Sequence, residues 1–218
     1  MKIKICGLKN EKDINKSIEL GAWALGFIFY KKSSRFLRPD IAESILKNFE
    51  ANTSKNLVGV FVNESISNMI DIQKKVKFHT FQLHGEEKPE VLSKIGHQFK
   101  IIKKLNYQDF PNIKLFLKAH PQVSFLIDSL PTHNGLYGGV GEVSDWNFAR
   151  KVKEKIAPKG KLILAGGLNS KNLALAKKEV DPFAFDLSSS IESAPGLKDH
   201  KKLTELFSHI PKETNDEP

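Results

Sequence analysis

At 218 residues, 40% hydrophobic and 27% charged, the chain is long enough to enclose one well-filled core and has the composition of an ordinary soluble protein. Its longest apolar run, Ala22 to Tyr30, is too short to span a bilayer, and its single cysteine excludes an internal disulfide. The formal net charge of +9 admits two kinds of partner, nucleic acid or a small anion.

The lysines favour the second. They are scattered over helical faces, as at Lys74, Lys75 and Lys77 or Lys151, Lys153 and Lys155, without interleaved aromatics or a zinc-finger or helix-turn-helix signature. Neither nucleic acid nor a membrane is expected as a partner. A lone thiol and an N-terminus that enters a strand instead of a signal peptide point to the cytoplasm.

In chain order, strand patterns occur at Lys2–Cys6, Ala24–Phe29, Leu57–Val62, Thr80–Leu83, Lys100–Lys104, Ser124–Ile127, Lys161–Ala165 and Phe183–Leu187. Helical patterns follow them at Glu11–Leu20, Asp40–Phe49, Ser65–Val76, Pro89–Ile95, Phe110–Ala119, Asp145–Ile156, Ser170–Lys178 and Leu197–Ser208. Strict alternation implies parallel strands with right-handed crossovers. Eight units in this length is the count for a (β/α)8 TIM barrel; a doubly wound sheet is the runner-up and more often has five or six strands. No linker or composition break divides the chain, so residues 1–210 read as one barrel domain and 211–218 as a polar tail.

In a barrel, function gathers at the C-terminal ends of the strands. The first tip carries Cys6, the only thiol. The second leads to Ser33-Ser34-Arg35, the fourth to Gln82-Leu83-His84-Gly85, and the sixth to Asp128. The seventh carries Gly166-Gly167, and the eighth carries Asp186 followed by Ser188-Ser189-Ser190. The strand bodies read as apolar.

The glycine pair and the serine triplet suit a phosphate, because glycines let backbone N–H groups approach an anion and serine hydroxyls add donors. Each motif alone favours a mere turn or cap; both together at adjacent tips favour the anion. A thiolate at Cys6 can remove a proton and a carboxyl at Asp128 can deliver one. Arg35 can grip a carboxylate or phosphate in two-point fashion, although Lys31, Lys32 and Arg38 keep a solvated basic loop open as the alternative. His84 either lines the mouth or caps a turn. No HExxH, cysteine–histidine spacing, P-loop or GxGxxG occurs, so no metal and no nucleotide cofactor are expected. The loop Ser129–Ser144, with Gly135, Gly138, Gly139 and Gly141, has the length and glycine content of a lid.

The ordered set Lys4-Ile5-Cys6-Gly7-Leu8, Gly26-Phe27-Ile28-Phe29-Tyr30, Val58-Gly59-Val60-Phe61-Val62-Asn63, Gln82-Leu83-His84-Gly85-Glu86, Leu126-Ile127-Asp128, Gly138-Gly139-Val140-Gly141, Ile163-Leu164-Ala165-Gly166-Gly167 and Asp186-Leu187-Ser188-Ser189 resembles the phosphoribosylanthranilate isomerases of tryptophan biosynthesis. The resemblance covers Lys4 to about Phe207. It implies an Amadori rearrangement of N-(5-phosphoribosyl)anthranilate without metal or organic cofactor. By this resemblance Asp128 is the general acid and Cys6 the general base. Arg35 holds the anthranilate carboxylate, and Gly166, Gly167, Ser188, Ser189 and Ser190 hold the phosphate. Gln82, His84, Gly139, Gly141 and Asp186 line the substrate. The chain departs from the family at Ser190, where glycine is usual, at Val140, where a small polar residue is usual, and at Glu142, where lysine is usual. Monomer and homodimer both remain open.

Overall fold

The computed structural model describes residues 1–47, 49, 56–128 and 145–210. Eight parallel strands close on themselves: β1 (Ile3–Cys6), β2 (Ala24–Ile28), β3 (Asn56–Phe61), β4 (Thr80–Leu83), β5 (Lys100–Lys104), β6 (Val123–Ile127), β7 (Lys161–Leu164) and β8 (Ala184–Leu187). Each pairs with its successor, and β8 returns to β1 with Ile3 opposite Phe185 and Ile5 opposite Leu187. The ring leaves no unpaired edge, which separates it from a doubly wound sheet.

The helices α1 (Glu11–Glu19), α2 (Pro39–Lys47), α3 (Ile66–Val76), α4 (Pro89–Ser93), α5 (Ile113–Ala119), α6 (Trp146–Ile156), α7 (Leu173–Val180) and α8 (His200–Ser208) follow the strands in turn. Local chemistry starts several of them. Asn10, Ser65, Asp145 and Asp199 each accept a backbone N–H from the first turn of α1, α3, α6 and α8.

Alternation along the strands builds two cores. Ile3, Ile5, Leu25, Phe27, Phe61, Phe81, Phe125 and Phe185 face the helices, with Phe61 stacked 5.4 Å from Phe29 and Phe81 edge-on 5.0 Å from Phe78. Cys6, Ala24, Val58, Val60, Ile102, Leu126, Ile163 and Ala184 fill the barrel itself.

Three expectations change. The eighth helix begins at His200 and not at Leu197, because Leu197–Lys198 (β10) turns back on Glu192–Ala194 (β9) as a small antiparallel hairpin after a 3₁₀ turn at Ser189–Ile191. The fifth helical segment opens as a 3₁₀ helix, Tyr107–Asn112, since Pro111 has no N–H to donate; α5 proper starts at Ile113. The strand bodies are not wholly apolar: Lys4, Lys103 and Lys104 are at most 1% exposed. The tail at 211–218 and the loop at 129–144, with Gly139 and Gly141, lie outside the described residues.

Lys103 shows how a buried strand charge is held. Its Nζ donates to Glu87 at 2.9 Å and to the Gly85 carbonyl at 2.7 Å. Glu87 in turn accepts the Asn63 N–H at 2.8 Å and the Gly85 N–H at 3.2 Å, tying the β3 and β4 tips together. Removing one partner leaves the other charge buried, so Glu87→Ala is expected to lose about 3–5 kcal/mol in chemical denaturation. A loss indistinguishable from that of an exposed surface substitution would contradict this tie.

Candidate active site

A cavity opens at the C-terminal end of the barrel. Its walls include every sequence-predicted site residue that is described: Cys6, Arg35, Gln82, His84, Asp128, Gly166, Gly167, Asp186, Ser188, Ser189 and Ser190. Ile28, Val60, Val62, Ala165 and Leu168 add an apolar lining.

Cys6 ends β1 and Asp128 directly follows β6, so two strands, β7 and β8, separate them around the ring. Burial pushes the Cys6 thiol above its ordinary range, and the neighbouring Lys4 ammonium pulls against that rise. Asp128 is anchored by His84, whose Nε2 lies 3.3 Å from its Oδ2. On the other side of the ring, Gln82 Nε2 donates to His84 Nδ1 at 3.1 Å. That bond places the imidazole proton on Nε2, toward Asp128. Burial also holds His84 below its ordinary range, against the pull of Asp128, so the imidazole is neutral near pH 7. His84 is therefore part of the mouth and not a turn cap.

Gly166 and Gly167 have φ of +82° and +62°. Two successive left-handed positions suit glycine, and they curl the β7 tip at the cavity wall beside Ser188–Ser190. Among the described residues, three buried polar atoms of the cavity have no hydrogen-bond partner: Gln82 Oε1, Asp186 Oδ1 and Ser190 Oγ. Orphaned groups of this kind are costly in a protein interior and mark a place for a polar ligand.

Arg35 is more constrained than its sequence context indicated. Its Nε contacts both Glu192 carboxylate oxygens, at 2.9 and 3.1 Å, and its Nη2 donates to Oε2 at 2.7 Å. Lys198 Nζ meets the same carboxylate at 2.8 Å and also donates to the Cys6 carbonyl at 2.6 Å. Burial works to raise Glu192, but Arg35 and Lys198 overcome it and hold the carboxylate below its usual range. Glu192 and Lys198 went unnoticed in the sequence, as did Lys4, which donates to Asp186 Oδ2 at 2.8 Å. Among the described residues, no group of three or more His, Cys, Asp and Glu is placed to hold a metal ion, and no helix is long and apolar enough to cross a membrane.

The molecule has known relatives. A family model described as N-(5'phosphoribosyl)anthranilate (PRA) isomerase matches residues 3–209. An N-(5'-phosphoribosyl)anthranilate isomerase of Thermotoga neapolitana is 36% identical over 207 residues, covering 95% of this chain and 97% of the relative. The crystal structure of phosphoribosyl anthranilate isomerase from Thermotoga maritima superposes with a TM-score of 0.82 at 34% identity, covering 96% of this chain and 98% of that one. A second isomerase structure, in complex with reduced 1-(o-carboxyphenylamino)-1-deoxyribulose 5-phosphate, gives 0.79 at 32% identity, over 96% of this chain and 97% of that one. The closed barrel and the matched length agree, and the chain belongs to the N-(5'-phosphoribosyl)anthranilate isomerase family.

Proposed function

We propose that this enzyme converts N-(5'-phosphoribosyl)anthranilate to 1-(o-carboxyphenylamino)-1-deoxyribulose 5-phosphate, an isomerisation in tryptophan biosynthesis. The observation that carries the reading is the single cavity in which a thiol, a carboxyl, an arginine and a glycine–serine cradle meet. A substrate with a phosphate at one end and a carboxylate at the other needs such a set, and the chain's positive charge favours its approach.

In this reading Asp128 delivers a proton to the furanose ring oxygen. The C1–O bond breaks as the anthranilate nitrogen forms a protonated imine with C1. Cys6, as thiolate, removes the C2 proton, and the resulting enolamine takes up a proton at C1 as its C2 hydroxyl gives one up, leaving the ketone. No atom is gained or lost. His84, fixed by Gln82, orients Asp128. Gly166, Gly167 and Ser188–Ser190 hold the phosphate, with the orphaned Ser190 hydroxyl as a donor. Asp186 Oδ1 accepts a sugar hydroxyl. Gly139 and Gly141 complete the set of substrate-binding residues. Use of a free thiol requires a compartment that keeps cysteine reduced, which fits the cytoplasm.

Loss of fluorescence from freshly prepared phosphoribosylanthranilate tests the reading directly. Turnover abolished by loss of the cavity residues supports it, and no turnover by the intact chain contradicts it. Arg35→Ala is expected to raise KM on the order of 10–100-fold through loss of a charge-assisted carboxylate contact, with a smaller change in kcat. The arrangement leaves Nη1 of Arg35 for the substrate, because Nε and Nη2 already serve Glu192. An unchanged KM would remove Arg35 from the site.

A further inference from the structure

Lys4 is wholly buried inside the barrel, two residues before Cys6 on the same inward face of β1. An ammonium there is expensive unless it has a task or a partner. Asp186 on β8 is one partner, at 2.8 Å. The second neighbour is the thiol, two residues along on the same face. Gly26, opposite Cys6 on β2, leaves room for both: a Cβ at that position would lie 2.8 Å from Cys6 Sγ and 3.1 Å from Lys4 Nζ. Sulfur and ammonium therefore flank the same small space.

We propose that Lys4 is a positioning residue for proton abstraction, its ammonium held by Asp186 so that it supports the negative charge Cys6 carries when it acts as base. The inference rests on the reading of Cys6 as that base. When the thiol gives up its proton, the charge appears beside a fixed cation in a site with little water, where such support is strongest. Lys4 keeps its own proton throughout. Burial alone would strip it, but the Asp186 carboxylate and the Cys6 sulfur outweigh that cost and keep the ammonium above its ordinary range.

Among the other charged groups around Cys6, Lys198 from β10 also favours the thiolate, more weakly than Lys4, and its hydrogen bonds go to the Cys6 carbonyl and to Glu192. Arg35, from the loop after β2, is committed to Glu192. His84 and Asp128, beyond β4 and β6, are paired with each other at 3.3 Å. Gly26 on β2 and Ala165 after β7 bring no charge. Asp186 on β8 opposes the thiolate, and Lys4 offsets it.

The chain has one cysteine, so thiolate ultraviolet absorbance against pH, taken as the difference from Cys6→Ser to remove the contribution of the three tyrosines, reports Cys6 alone. In Lys4→Met that titration is expected to move to higher pH, and the rising limb of kcat/KM to move with it. Each unit of displacement lowers kcat/KM near neutral pH about tenfold. A lysine that only neutralised Asp186 would leave the thiol titration where it is. Should Lys4→Met fold poorly with Asp186 left unpaired, Lys4→Met/Asp186→Asn removes both charges, and a smaller upward displacement is expected, because the carboxylate that opposed the thiolate is lost as well. An unmoved titration in the variant that folds, together with an inactive Cys6→Ser, overturns the role of Lys4 alone. Full turnover by Cys6→Ser overturns the reading of Cys6 as base, and this inference with it.

Discussion

Cys6→Ser is expected to lower kcat by about 10²–10⁴-fold, the worth of one positioned general base, while the protein stays folded. Serine keeps nearly the same shape at the tip of β1, so packing inside the barrel is preserved. It lacks an ionisation that a neighbouring ammonium can bring into reach, so the C2 proton has no acceptor. The decrease belongs in kcat and not in KM, because the thiol touches the substrate at the carbon that reacts and not at its charged ends. The rising limb of the kcat/KM profile should vanish with it. In the parent enzyme that limb extends to the alkaline side, since burial holds the thiol up and activity grows as the thiolate forms. Wild-type turnover in the serine variant would remove Cys6 from the chemistry.

Asp128→Asn is expected to cost a similar about 10²–10⁴-fold in kcat, through the other proton transfer. Asparagine has the outline of the carboxyl and its amide oxygen can still accept from His84 Nε2, which lies 3.3 Å from Asp128 Oδ2. It has no acidic proton for the ring oxygen, so the furanose opens slowly. Because His84 and Gln82 hold the side chain from behind, the defect should be chemical and not positional, and KM should stay close to that of the parent. A variant impaired only in KM would make Asp128 a binding group.

Much of this arrangement was legible because a parallel barrel puts its chemistry in a known place. Cys6 stands at the end of an alternating strand pattern and Asp128 directly after an apolar run, and Gly166-Gly167 is a pair that the left-handed turn at the β7 tip demands. Lys4 was harder. Lysine alternating with Ile3 and Ile5 has the pattern of a strand with one wet face. In a closed parallel sheet neither face is wet, so the same pattern places an ammonium in the interior. Lys104 on β5 hides in the same way.

Glu192 and Lys198 were missed for a different reason. Strands of three and two residues, β9 and β10, are too short to show a period, and the stretch from Leu197 runs into a true helical pattern. The Pro195-Gly196 pair was the available signal of a turn, and Gly196 takes φ of +82° there. That hairpin brings the carboxylate to Arg35, a long-range contact that no local pattern contains.

The most direct test of the account is a crystal structure of this enzyme with reduced 1-(o-carboxyphenylamino)-1-deoxyribulose 5-phosphate. The phosphate should rest on the backbone of Gly166 and Gly167 and the hydroxyls of Ser188–Ser190, with the carboxylate at Arg35. The sugar carbons should lie between Cys6 Sγ and the Asp128 carboxyl. A phosphate bound elsewhere, or a sugar out of reach of either group, would contradict it.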